Sequence, residues 1–169
     1  MQHKIYLIGY RGTGKSTIGE LLAAALKTTW ADIDHLVSVQ QSMPIAEIVG
    51  QKGWAYFRTL EADMLKKSSA GSDRVIATGG GAVIHHDVWE EISFHHFVVW
   101  LSADIGVLTN RLTPKAASDT GRPSLTGEPI HLEIQQVLAE REPLYRALAD
   151  VEINTGHLRP AEVVEQIVL

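Results

Sequence analysis

Apolar runs of strand length recur along the chain, with helical patterns between them. The runs are Lys4 to Ile8, Thr29 to Ile33, Arg74 to Ala77, Phe97 to Leu101 and Val151 to Ile153. After the first run, Ile18, Leu21, Leu22, Ala25 and Leu26 fall at i, i+3, i+4, i+7 and i+8, the stripe of an amphipathic helix. Helices are expected at Lys15 to Lys27, Leu36 to Gln41, Pro44 to Lys52, Trp54 to Lys67, Asp87 to Ile92, Asp104 to Leu112, Ile130 to Ala149 and Pro160 to Val168. Strands joined through helices read as an α/β fold, a parallel sheet of five strands with helices on both faces. Residues 1–169 make one domain with room for a sizeable core. The pattern stops between Thr113 and Gly127, where TPKAASDTGRPSLTG mixes prolines, glycines and small polar residues. A long exposed loop is predicted there, serving as a mobile lid or binding loop.

In a parallel sheet, ligands sit beyond the carboxyl ends of the strands. The first such end carries Gly9-Tyr10-Arg11-Gly12-Thr13-Gly14-Lys15-Ser16, a full match to the phosphate-loop pattern GxxxxGK[ST]. It stands between a strand and a helix, the context the motif needs. Glycines let successive N–H groups turn toward one point, and the helix start adds its unpaired N–H groups and positive dipole end. Gly12, Thr13, Gly14, Lys15, Ser16 and Thr17 are therefore candidate nucleotide-phosphate ligands. Lys15, expected on an exposed loop, reaches toward the β- and γ-phosphates, and the Ser16 hydroxyl is a candidate Mg²⁺ ligand.

Two further strand ends add chemistry. Asp32 and Asp34 flank Ile33, so in an extended segment both side chains leave on one side. One is suited to Mg²⁺ and the other to a substrate hydroxyl, although two such aspartates also serve as helix caps. Gly79-Gly80-Gly81 follows Val75 to Thr78 and permits close backbone approach to a ligand; a plain tight turn is the simpler alternative. Arg58 lies three residues before Glu61 on one helical turn, either as an exposed ion pair or with Glu61 aiming Arg58 at an anionic group. His85-His86 and His95-His96 read as surface residues, since adjacent histidines point apart. Met43 and Met64 read as core packing.

Composition narrows the partners. A net charge of −5 leaves no basic surplus for non-specific nucleic-acid binding. With no cysteine, disulfides and thiolate metal sites are excluded. The first apolar run is too short for a signal peptide and nothing approaches a membrane span, so a cytoplasmic location is expected.

Taken together, GYRGTGKST, DID at 32–34, GWAYFRTLE, VIATGGGAV, VVWLSAD with Arg111, GRPSL and EREPLY resemble the shikimate kinase family over essentially the whole chain. The phosphate loop alone says only nucleotide phosphate; the glycine triplet with FRxxE and ERxPLY is far more specific. The resemblance implies a P-loop NTPase fold, three-layer α/β/α and nucleoside-monophosphate-kinase-like, with a substrate-binding region at about 32–61 and a lid at about 113–127. It implies ATP-dependent phosphorylation of the 3-hydroxyl of shikimate, in aromatic amino acid biosynthesis, by a monomeric enzyme needing Mg²⁺. By position, Lys15 and the loop amides hold ATP, Ser16 and Asp32 serve Mg²⁺, and Asp34 binds the attacking hydroxyl. Arg58 and Arg141 clamp the substrate carboxylate with the backbone of Gly79, Gly80 and Gly81. Arg122 folds over the transferring phosphate, and Arg111 lies against adenine with Asn154 to Pro160 opposite. Two positions depart from the family pattern: Trp54 stands where glutamate is common, and GRPSL replaces the commoner RPLL. The alternative acceptor is another small hydroxy acid such as gluconate. No DxxG or NKxD sequence supports a GTPase switch.

Overall fold

A computed structural model of the chain describes residues 3–92, 96–113 and 123–168. Five parallel strands, β1 (Ile5–Ile8), β2 (Trp30–Asp32), β3 (Val75–Ala77), β4 (Phe97–Ser102) and β5 (Val151–Asn154), lie in the order β2-β3-β1-β4-β5. Around them run α1 (Lys15–Ala25), α2 (Ile33–Gln41), α3 (Ile45–Ala70), α4 (His86–Ile92), α5 (Ile105–Leu112), α6 (Ile130–Leu148) and α7 (Pro160–Val168). The α/β fold with five parallel strands therefore stands as the sequence predicts.

The strands are apolar throughout because both faces of the sheet are covered. Tyr6 and Ile8 of β1 join Ile76, Val98 and Trp100 in a core closed by α2, α3, α4 and α6. Leu7 points the other way, meeting Val75, Val99 and Leu101 under α1 and α7. The register pairs Tyr6 with Ile76 and Val98, and Leu7 with Val99, so each layer is continuous across the sheet. Met43 and Met64 pack against the first core as expected. A third cluster, Tyr10, Leu108, Ile134 and Val137, joins the phosphate loop to α5 and α6.

Two local features shape the site. The long segment α3 is broken at Gly53, whose φ of 81° and ψ of 167° lie outside the helix. Its halves match the helices expected to end at Lys52 and to restart at Trp54. The second half carries Trp54, Phe57, Arg58 and Glu61; Trp54 and Phe57 meet edge to face at 5.8 Å. At β2 the expectation needs correction. The strand ends at Asp32, and α2 starts at Ile33 rather than Leu36. The cause is a cap: Asp32 Oδ1 accepts from the amides of Asp34 at 2.9 Å and His35 at 3.2 Å. Asp34 thus stands in the first helical turn, and strand alternation does not set its direction.

Candidate active site

The carboxyl ends of β1, β2 and β3 converge on one cleft of about 630 Å³, lined by Arg11, Gly12, Gly14, Lys15, Ser16, Thr17, Asp34 and Thr78. In the phosphate loop Gly9, Gly12 and Gly14 take φ of 138°, 82° and 95°, angles that side-chain-bearing residues rarely adopt. Lys15 is not on an exposed surface as the sequence suggests. It is buried, and its Nζ donates at 2.8 Å to the carbonyls of both Gly9 and Tyr10. The ammonium therefore sits within the loop, held between two of its carbonyls.

The Ser16 hydroxyl donates to Asp32 Oδ2, while Asp32 Oδ1 is the helix cap. A hydroxyl beside a carboxylate is a hard-oxygen pair of the kind that suits Mg²⁺. That ion commonly takes one or two protein ligands and completes its shell with phosphate oxygens and water. Among the described residues no group of three His, Asp or Glu could hold a metal unaided. The pair fits a Mg²⁺ whose remaining ligands come with a nucleotide.

Beyond the cleft, the glycine triplet acts as a packing surface. A methyl group added at Gly79 would collide with Glu61 Oε1, and one at Gly81 with the Arg58 guanidinium. Only glycine lets these two side chains cross the loop so closely. The carbonyl of Gly80 accepts from Arg141 Nη1 at 3.2 Å and from the Tyr145 hydroxyl at 2.5 Å. Arg58, Arg141, Trp54, Phe57, Tyr10, Arg11 and Leu125 consequently line one small cavity beside Gly80 and Gly81. The two arginines predicted to bind one anion face the same space.

Glu61 organises this side. It is fully buried, and its Oε2 accepts from Arg58 Nη1 and pairs with His85 Nε2 at 3.0 Å. Burial alone would push its carboxyl up, but the bonds from His85 and Arg58 outweigh that and hold it below the ordinary range. The Arg58–Glu61 pair is thus largely buried rather than an exposed surface pair. His85 also corrects the surface reading, since its side chain is 11% exposed and belongs to the Glu61 cluster. His86 is exposed, as expected; His96 accepts from the Lys4 amide at 3.2 Å, and His95 lies outside the described residues.

Arg111 leaves α5 to donate to the Gly12 carbonyl at 3.1 Å and to the Thr155 carbonyl at 2.8 Å. It thereby ties the phosphate loop to the turn after β5, where an adenine wall is expected. Thr155 lies within the expected Asn154 to Pro160 wall, and its buried hydroxyl reaches the Thr13 carbonyl at 3.1 Å. Arg122 and most of the expected lid, residues 114–122, lie outside the described residues.

Fold and site together define a P-loop small-molecule phosphotransferase: a phosphate loop beside a small cavity lined by three arginines, Arg11, Arg58 and Arg141. The comparisons narrow the class. A family model described as shikimate kinase matches residues 11–169. A shikimate kinase 2 of Yersinia enterocolitica is 42% identical over 99% of this chain and 94% of its own length. The solved shikimate kinase from Acinetobacter baumannii in complex with shikimate superposes with a TM-score of 0.89, at 30% identity over 99% of this chain and 92% of that one. A gluconokinase from Sinorhizobium meliloti reaches a TM-score of 0.59 at 18% identity, covering 97% of this chain and 88% of its own, a likeness of fold alone. The chain belongs to the shikimate kinase family and is an ATP-dependent kinase.

Proposed function

We propose that the chain transfers the γ-phosphoryl group of ATP to the 3-hydroxyl of shikimate, giving ADP and shikimate 3-phosphate. The observation that carries this reading is the cavity beside Gly80 and Gly81, where Arg58 and Arg141 converge next to the phosphate cleft. Two guanidinium groups in a half-buried cavity form charge-assisted hydrogen bonds with a carboxylate that water would otherwise weaken. Trp54 and the backbone of Gly80 and Gly81 border the same narrow space of about 20 Å³.

In the reaction, the bond between the γ-phosphorus and its bridging oxygen breaks as a bond to the acceptor oxygen forms. The transition state is loose, so positioning and charge neutralisation contribute most. Asp34, in the cleft beside Lys15, orients the hydroxyl and takes its proton late. Lys15 and the loop amides offset charge on the phosphoryl oxygens. Ser16 and Asp32 would hold Mg²⁺, which neutralises phosphate charge when bound. Arg111 and the turn at Thr155 form the base side of the nucleotide site, and Arg122 is assigned to the moving phosphate by its place in the family pattern.

We assign it as a monomer. No helix among the described residues is long and apolar enough to cross a membrane; we assign the enzyme to the cytoplasm. The test is an ADP-release assay with shikimate, gluconate and a neutral cyclic alcohol. Shikimate-dependent turnover alone is the expected result. Preference for gluconate or the neutral alcohol would refute the clamp.

A further inference from the structure

Arg11 and Glu133 stand 122 positions apart, and neither was singled out from sequence, yet they form an ion pair in the middle of the site. Glu133, near the start of α6, is 1% exposed. One of its oxygens accepts from Arg11 Nη2. The other collects the Ser124 hydroxyl, the Leu125 amide at 2.8 Å and the Thr126 amide at 3.3 Å. A single carboxylate therefore joins the phosphate loop to the segment that leads into α6. Both things it fastens are walls: Arg11 lines the phosphate cleft and the acceptor cavity, and Leu125 lines the acceptor cavity. Arg11 also lies over the Tyr10 ring at 5.8 Å, so its direction is fixed from two sides.

We propose that Glu133 is a positioning residue for the acceptor: it fixes Arg11 and the 124–126 backbone in one arrangement, and so sets the wall of the acceptor cavity that faces the phosphate loop. The inference rests on the acceptor reading above. A buried carboxylate satisfied by one cation and three further donors is stable only while all four are present. Glu133→Gln keeps the shape but puts an amide donor against either Arg11 or the 124–126 donors. One half of the junction must then open, leaving the phosphate ligands in place.

The test measures steady-state kinetics of the parent, Glu133→Gln, Arg11→Ala, Ser124→Ala and their combinations, with melting temperature recorded for each. Glu133→Gln should raise KM for shikimate by about tenfold while KM for ATP stays within about twofold. Arg11 and Ser124 have no bond to each other among those described here and meet through Glu133. Their effects on shikimate KM should be non-additive in the parent and additive with Gln at 133, which a merely structural role would not produce. The exposed Ser124→Ala gives a smaller KM rise in the same direction and serves if Glu133→Gln does not fold. An unchanged shikimate KM in folded variants, equal rises for both substrates, or additive effects in the parent would overturn the assignment. If the parent itself fails to phosphorylate shikimate, the acceptor reading falls first and this inference with it.

Discussion

The two arginines of the acceptor cavity should fail in different ways when removed. Arg58 is the cation of a buried pair, with side chains of Arg58 and Glu61 exposed by 17% and 0%. Among the described residues, Arg58→Ala leaves the Glu61 side chain with His85 alone as its charged partner. Breaking a buried pair costs about 3 to 5 kcal/mol, and the partial exposure of Arg58 with the remaining His85 contact puts this case at roughly 2 to 4. For a chain of this size each kcal/mol moves the melting temperature by about 2 to 4 °C, so a fall of roughly 5 to 15 °C is expected. Arg141 instead donates to a backbone carbonyl at 3.2 Å, and Tyr145 still satisfies that carbonyl when Arg141 is gone. Arg141→Ala should therefore cost under about 1 kcal/mol in stability. In binding the two should converge, because each removes one arm of the proposed clamp on the acceptor carboxylate, a loss of roughly 2 to 5 kcal/mol or at least about thirtyfold in affinity. Differential scanning calorimetry and titration calorimetry with shikimate and with an ATP analogue measure both effects. Equal loss of melting temperature in the two variants, or unaltered shikimate affinity in either, would refute this reasoning.

Three further outcomes follow from the same geometry. Lys15→Ala should lower turnover by about a hundredfold or more and also reduce stability by about 1 kcal/mol, since the buried ammonium bonds two loop carbonyls; stopped assays and melting curves check both. Gly79→Ala should destabilise by roughly 1 to 3 kcal/mol and raise shikimate KM, because the added methyl displaces Glu61; an unshifted unfolding midpoint would count against it. Glu61 has a folded-state carboxyl below its ordinary value of 4.5, so its contribution is full above that pH and is lost as pH falls through the lower folded value. Stability measured down that acid range should decline in the parent and decline less steeply in Glu61→Gln.

Much of the site was legible because phosphate binding imposes a contiguous motif. The glycines, Lys15 and Ser16 must be neighbours for one loop to surround one phosphate, so the chemistry appears as a word in the sequence. Gly53 was legible for a similar reason, since it separates two helical patterns. The second partners of the charged residues were not. Glu133 meets Arg11, and Thr155 meets Thr13, only after distant strands are brought side by side. His85 has a sequence neighbourhood like that of any surface histidine; the turn after the glycine triplet is what turns it onto Glu61. Asp32 misled the boundary of α2 because a carboxylate can end a strand or cap a helix, and here it does both while bonding Ser16. The roles of Arg58 and Arg141 came from family resemblance, and the physical support is their convergence on one cavity.

The most direct test of the account is a comparison of kcat/KM for shikimate and for its uncharged carboxamide, at saturating ATP and Mg²⁺. The amide keeps the ring and all three hydroxyls while removing the charge that Arg58 and Arg141 are argued to bind. The parent should favour shikimate by at least about thirtyfold, and Arg141→Ala should shrink that ratio toward unity. Equal kcat/KM for acid and amide in the parent would contradict the two-arginine clamp.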